Sequence, residues 1–325
     1  MHSFEKLKSA GIKTLKPAWL TIRFLVAVMI PVSLVVLLLD ASGILFYVSY
    51  ALRPVMRLLG LPGEAALVFI SAIFLNIYSA IAVINTLHLS GAAVIIVATM
   101  CCIAHNFFVE CIVTTKTGSS LIAIIVLRLV CAFAAGWLLH LLLAVPEDLS
   151  LTTETALHGS GAFTGALLLD KLKEWLIDTG KLLIKIVLMV FAVIFLQKLL
   201  DELGIMRLLG RITRPLMRIM GVPENCAYLW IVVELVGLAY GAGVLIEEVN
   251  SGAISRTEAA LFNCHAVINH SQIEDTLLFV SIGVPYLWVA LPRFIVALGV
   301  VWIGRGIAKL FPKNFHAALA EERRL

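Results

Sequence analysis

The chain has 325 residues, of which 61% are hydrophobic and 14% charged, with a mean hydropathy of +1.02 and a formal net charge of +4. Soluble domains hold about 45–50% apolar and about 25% charged residues, so an ordinary soluble enzyme, a disordered chain and a nucleic-acid binder are excluded. Apolar blocks about twenty residues long predict an all-α polytopic membrane protein with the lipid bilayer as its first partner.

Lys6, Lys8, Lys13 and Lys16 precede the first apolar block, 20–39. That block is too long for a signal-peptide core and has no small-residue cleavage site after it, so it reads as a retained helix. A basic amphipathic stretch (44–60) follows, then a second span (64–86), a peculiar segment (90–115) that is itself apolar enough to cross, and a last span (118–143). The linker 146–180 contains no long apolar block. Its Leu168, Leu172, Trp175 and Leu176, set against Asp170, Lys171, Lys173 and Glu174, predict an amphipathic helix along the membrane surface. The same series then recurs at 181–200, 205–221, 225–247, 253–276 and 280–304, and Arg305, Lys309 and Lys313 close it. Basic residues at both ends predict cytoplasmic termini and an inner-membrane location. The six cysteines, Cys101, Cys102, Cys111, Cys131, Cys226 and Cys264, mostly sit inside apolar blocks and read as small hydrophobes.

The recurrence is a true internal repeat. Arg53-Pro54-Val55-Met56-Arg57-Leu58-Leu59-Gly60-Leu61-Pro62 aligns with Arg214-Pro215-Leu216-Met217-Arg218-Ile219-Met220-Gly221-Val222-Pro223 at an offset of 161. The same offset pairs Asp40 with Asp201, Gly43 with Gly204, and Ser90-Gly91 with Ser251-Gly252. A four-residue insertion then moves it to 165, pairing His105 with His270, Gly118 with Gly283 and Arg128 with Arg293. The expected organisation is one repeat over 1–145, the linker 146–180, and a second repeat over 181–325.

Arg256, Glu258, Asn263, His265, Asn269, His270, Glu274 and Asp275 crowd the segment 253–276. Each ionised residue at the centre of a lipid-facing helix costs about 2.5–3.5 kcal/mol, so this segment and its counterpart 90–115 are expected to re-enter without crossing. Three spans plus one re-entrant segment per unit make the repeats inverted, six spans in all. The basic stretch Arg207, Arg211, Arg214 and Arg218 then lies inside, and the acidic Glu147, Asp148 and Glu154 outside. The alternative is eight spans.

Ionisable groups at membrane depth are the default functional candidates. Glu234 sits about mid-span, followed by Gly237, Gly241 and Gly243, and reads as a proton- or cation-coupling carboxylate beside weakened helix, with Glu274 and Asp275 as companions. The alternative role for Glu234 is an ion pair that locks the bundle. Arg128 and Arg293 need a carboxylate or carbonyl at their depth, with Glu234, Glu110 and Asp275 available, and read as structural ion pairs; the alternative is contact with an anionic or carbonyl-bearing substrate. His105, Asn106, Glu110, Asn269, His270, Ser271 and Gln272, joined by Asn76 and Ser79, are the expected solute-binding set. For Asn76, Ser79 and Asn85, helix–helix hydrogen bonding is the other reading. His270 with Glu274 and Cys101 with His105 have i, i+4 spacing, but no CxxC or HExxH spacing occurs, so no metal ligand is assigned. No phosphate-loop, dinucleotide or nucleophile-elbow motif is present, and neither an enzyme nor a cofactor is expected.

The Arg-Pro-x-Met-Arg-x-x-Gly-x-Pro entry and the Arg-bearing last helix of each unit resemble the nucleoside-recognition gate-domain family. That family takes in bacterial spore maturation membrane proteins, the gate regions of ferrous iron transporters and part of the concentrative nucleoside transporters. The likeness covers roughly 40–143 and 201–304, two gate units in one chain. It implies a membrane transporter or transporter core for a small polar solute such as a nucleoside. A divalent-metal permease component is one alternative. The other is a non-transporting partner of another membrane protein, or a homo-oligomer, in an envelope or developmental process.

Overall fold

A computed structural model describes residues 2–89, 91–143 and 165–310, and every regular element in it is helical. The first unit comprises α1 (His2–Ala41), α2 (Ile44–Arg57), α3 (Ala65–Phe74), α4 (Ile77–Thr86), α5 (Gly91–Ile103), α6 (Phe107–Lys116) and α7 (Leu121–Leu143). The second comprises α8 (Gly165–Glu202), α9 (Ile205–Ile212), α10 (Arg214–Met220), α11 (Ala227–Val236), α12 (Leu238–Asn250), α13 (Arg256–Ala266), α14 (Glu274–Val280) and α15 (Tyr286–Leu310), with a short 3-10 turn at Glu224–Cys226 before α11. Glu147, Asp148, Glu154 and Lys313 lie outside the described residues.

Backbone signatures fall at repeat-related positions, which shows that the two units share one fold. Positive φ occurs at Gly43 and Gly204 (75° and 69°), Gly60 and Gly221 (64° and 72°), Gly91 and Gly252 (60° and 78°), and Gly118 and Gly283 (100° and 97°). These are the turns between elements, where a residue with a Cβ would be strained.

The long helices α1 and α8 are counterparts, and they run antiparallel. Ser9 and Lys13 of α1 reach Glu202 at the end of α8, while Leu37 shares a cleft with Glu174, Trp175 and Asp178 near its start. The two units are therefore inverted. At about 1.5 Å per residue each of these helices is close to 60 Å long, about twice a bilayer core. The expected break between a surface helix ending at 180 and a span beginning at 181 does not occur. Residues 165–202 form one helix, with no proline or left-handed residue to stop it, and 165–178 is the counterpart of the basic start of α1.

The path of the chain corrects the expected assignment of re-entrant segments. The Ser79 hydroxyl donates to the Ser71 carbonyl at 3.2 Å; eight residues apart in a straight helix would be separated by about 12 Å. So α3 and α4 fold back on each other, turning at Asn76 (φ −167°, ψ 176°). Their counterparts α11 and α12 do the same around Gly237 (φ 85°, ψ 161°), where Gly241 lies against Val233. The re-entrant hairpins are thus 65–86 and 227–250. The polar segments instead run the full height of the bundle. Along α7, Arg128 meets Ile103 and Cys111, and Gly136 meets Met100 and Ile96, so α7 is antiparallel to α5 and α6 together. By the same trace α13 and α14 cross as one interrupted helix beside α15. Each unit therefore has three traverses (α1, α5–α6 and α7; α8, α13–α14 and α15) and one hairpin.

Among the described residues, Gly91–Lys116, Leu121–Leu143, Leu169–Glu202 and Tyr286–Ile307 are long and apolar enough to cross a membrane, the first taken across its interruption. The outward face of α7 is apolar and exposed at Ile122, Val126, Val130 and Trp137, as a lipid-facing helix requires.

The inversion has a direct test. Leu58, after α2, and Thr213, between α9 and α10, lie in turns at opposite ends of the bundle. The native cysteines are all buried and contribute little background. Leu58→Cys and Thr213→Cys are expected to react with an impermeant thiol reagent from opposite sides of a sealed vesicle; labelling from the same side refutes the inversion.

Candidate functional site

Both interrupted traverses break at repeat-related residues, and both breaks are tied to a hairpin. Asn106 adopts the left-handed conformation (φ 50°, ψ 44°), which asparagine tolerates. Its counterpart Ser271 does the same (φ 47°) at higher strain. The Asn106 N–H donates to the Ala72 carbonyl at 2.9 Å, and the Ser271 N–H to the Val233 carbonyl at 3.1 Å. Residues 72 and 233 are themselves counterparts, each just before its hairpin tip. At the second tip the Ser271 hydroxyl lies 2.6 Å from where a Cβ on Gly237 would stand, so only glycine fits.

These breaks bring one histidine from each unit together in the core. His105 and His270 are 5% and 1% exposed, and their Nε2 atoms are 3.3 Å apart. Each Nδ1 faces a carbonyl one turn back, Cys101 O at 3.0 Å and Ala266 O at 2.7 Å. A carbonyl only accepts, so the network assigns the proton to Nδ1 and leaves both Nε2 atoms as lone pairs when the rings are neutral. Glu110, one turn into α6, sends Oε1 to 3.1 Å from His105 Nε2 and 3.2 Å from His270 Nε2. These three buried donor atoms form a compact group that could hold a metal ion.

Around this group the arginines show where symmetry holds and where it fails. Arg128 Nε donates to Ile103 O at 2.9 Å, and its counterpart Arg293 Nε to Ile268 O at 3.4 Å. Arg128 Nη1 reaches Cys111 Sγ at 3.9 Å, and Arg293 Nη1 the Thr276 hydroxyl at 3.5 Å. Both are fully buried. Arg128 Nη2 then pairs with Glu110 Oε2 at 2.7 Å, whereas Arg293 Nη2 donates to the His270 carbonyl at 2.5 Å. Asp275, the counterpart of Glu110, has its Oδ2 3.7 Å from His105 Nε2 and accepts no hydrogen bond there. Arg128 thus stands against a carboxylate, whereas Arg293, for which an ion pair was also expected, is held by carbonyls and a hydroxyl.

The other candidates divide. Glu234, 6% exposed and three residues before the tip at Gly237, accepts from Asn269 Nδ2 at 2.9 Å and lies 3.9 Å from His265 Nε2. The Trp230 indole donates to that same Nε2 at 3.1 Å. Glu274 accepts from the Tyr78 hydroxyl at 3.0 Å. Gln272 Nε2 is fixed on Ala290 O at 2.7 Å. Asn76 and Ser79 form the capping box that starts α4, and the Ser79 hydroxyl also reaches the Ser71 carbonyl of α3, the helix–helix hydrogen bonding that was the other reading. Tyr78 and Trp230 are partners that were not singled out, and His265 was noted only as part of its polar segment. Position 78, beside Ser79 and two residues after Asn76, and the four-residue spacing of 230 and 234 were the available signals.

No protein-family profile matches the chain, and no solved structure matches it. The uncharacterized membrane protein YvoD of Bacillus subtilis (strain 168) is 31% identical over 261 residues, which cover 79% of this chain and 82% of that protein. The chain therefore belongs to the family of YvoD and is a multi-pass, all-α membrane protein.

Proposed function

We propose that this protein is an alternating-access transporter that carries a small solute through the centre of the bilayer. The observation that carries this reading is the meeting of two inverted units at one buried polar group, with both traverses and both hairpins interrupted beside it. Inverted repeats with broken helices at mid-depth are the architecture by which a fixed site can be opened first to one side and then to the other. The likeness to gate-domain proteins agrees with this reading and favours a nucleoside. The separations of 3.1–3.3 Å at the centre favour a solute of ionic size, which is the reading adopted.

Lys6, Lys8, Lys13, Lys16, Arg211, Arg214 and Arg218 all belong to one end of the bundle, which supports a cytoplasmic location for that end and for both termini in the inner membrane. Glu234, held by Asn269 at the second hairpin tip, is the carboxylate best placed to couple a proton to hairpin movement.

Purified protein in sealed proteoliposomes is expected to show saturable uptake of divalent cobalt, with tritiated uridine as the comparison solute. Uptake of uridine alone replaces the ionic reading with the nucleoside one. Flux of neither, together with stable co-purification of another membrane protein, overturns transport in favour of a partner role.

A further inference from the structure

We infer that His105 Nε2, His270 Nε2 and Glu110 Oε1 form a binding site for one divalent first-row transition-metal ion. This gives the proposed transporter a solute class and to that extent rests on the transport reading; binding itself does not.

The first argument is electrostatic. With each Nδ1 proton committed to a carbonyl, the three atoms that converge are all lone-pair donors, at 3.1, 3.2 and 3.3 Å from one another, in a fully buried setting. Three acceptors without a donor repel, and the low-dielectric interior makes that costly. A single added proton bridges one of the three pairs and leaves the others facing. Protonating both rings sets two N–H groups against each other beside Arg128 and Arg293. A cation at the centre satisfies all three at once.

The second argument is size. At metal–ligand distances of about 2.0–2.2 Å, neighbouring donors in tetrahedral or octahedral shells stand about 2.9–3.5 Å apart. The observed triangle is one face of such a shell. Two imidazoles and a carboxylate suit zinc, iron, cobalt or manganese; calcium and magnesium prefer oxygen alone, and monovalent copper prefers sulfur.

The third argument is the outer layer. The carbonyls of Cys101 and Ala266 fix both imidazole planes, and Arg128 holds Glu110 Oε2 so that Oε1 faces inward. Such support is what metal-ligating histidines and carboxylates show. Asp275 supplies an independent sign: its Oδ2 is buried, accepts no hydrogen bond, and stands 3.7 Å from His105 Nε2, in place to become a further ligand.

The test is metal binding by the full chain in detergent after chelator treatment, with cobalt(II) and zinc(II) as probes. One cobalt(II) per chain is expected, with a visible spectrum of low-symmetry coordination. His105→Ala, His270→Ala and Glu110→Gln should each weaken binding at least tenfold, while His88→Ala should leave it unchanged. Should the variants fail to fold, X-ray absorption of zinc bound to the unsubstituted protein still decides, and is expected to show two imidazole nitrogens plus oxygen. A sulfur shell, an all-oxygen shell, or no saturable binding of either metal overturns the site. Metal bound without flux keeps the site and removes transport; uridine flux without metal binding does the reverse.

Discussion

Arg128→Met is expected to cost about 3–5 kcal/mol of stability, because it strands the Glu110 carboxylate in the core after removing the guanidinium 2.7 Å away. The same change also orphans the Ile103 carbonyl at the break between α5 and α6. Arg293→Met should cost less, about 1–3 kcal/mol, since its partners are carbonyls and a hydroxyl rather than a carboxylate. Adding Glu110→Gln to Arg128→Met should recover much of the first loss, because no buried charge is then left unpaired. Thermal unfolding of the detergent-solubilised protein measures all three. Equal losses for the two arginines, or no recovery in the double variant, would show that the Arg128–Glu110 pair is not the dominant interaction.

The second large effect concerns conformation. The two units have the same fold, yet Glu110 is paired to its arginine and both histidines while Asp275 is not. Were the two arrangements to exchange between the units, a second state of equal design would result, in which Asp275 pairs with Arg293 and Glu110 withdraws. Asp275→Asn removes the ion pair on which that state depends. A shift of about 3 kcal/mol, the low end for one buried pair, is roughly a hundredfold in population. Spin labels at His88 and Leu287 are expected to report two distances in the unsubstituted chain and one in Asp275→Asn. Two unchanged populations in the variant would exclude the exchange.

Much of this was legible in the sequence, and the main error is instructive. The offset of 161, then 165, revealed two copies and the count of three traverses and one re-entrant segment per unit. The polar residues of 253–276 then led to the wrong segment for each role, and the repeat carried that assignment over to the apolar 90–115. Residues 65–86 are apolar because they are buried in protein, with Ala65, Val68, Ala72, Ala80 and Ile81 fully covered. Residues 256–280 carry Asn263, His265, His270 and Asp275 because their traverse is also enclosed and meets almost no lipid. Hydropathy measures departure from water and does not tell lipid from protein as the destination. The members of the central cluster were named from their depth, but His105 and His270 lie 165 residues apart, and no local spacing shows that their Nε2 atoms meet. The capping role of Asn76 and Ser79 was missed because it depends on a chain reversal that an apolar stretch does not signal.

The contact between His105 and His270 also bears on how such a chain could arise. Each unit supplies one imidazole, one carboxylate and one guanidinium, and neither can assemble the centre alone. A single ancestral unit able to insert in either orientation would have built the same centre as an antiparallel pair. After a duplication the two copies would be free to diverge, to Glu110 in one and Asp275 in the other. Fragments ending at 143 and beginning at 165 should accordingly recover the centre only when made together.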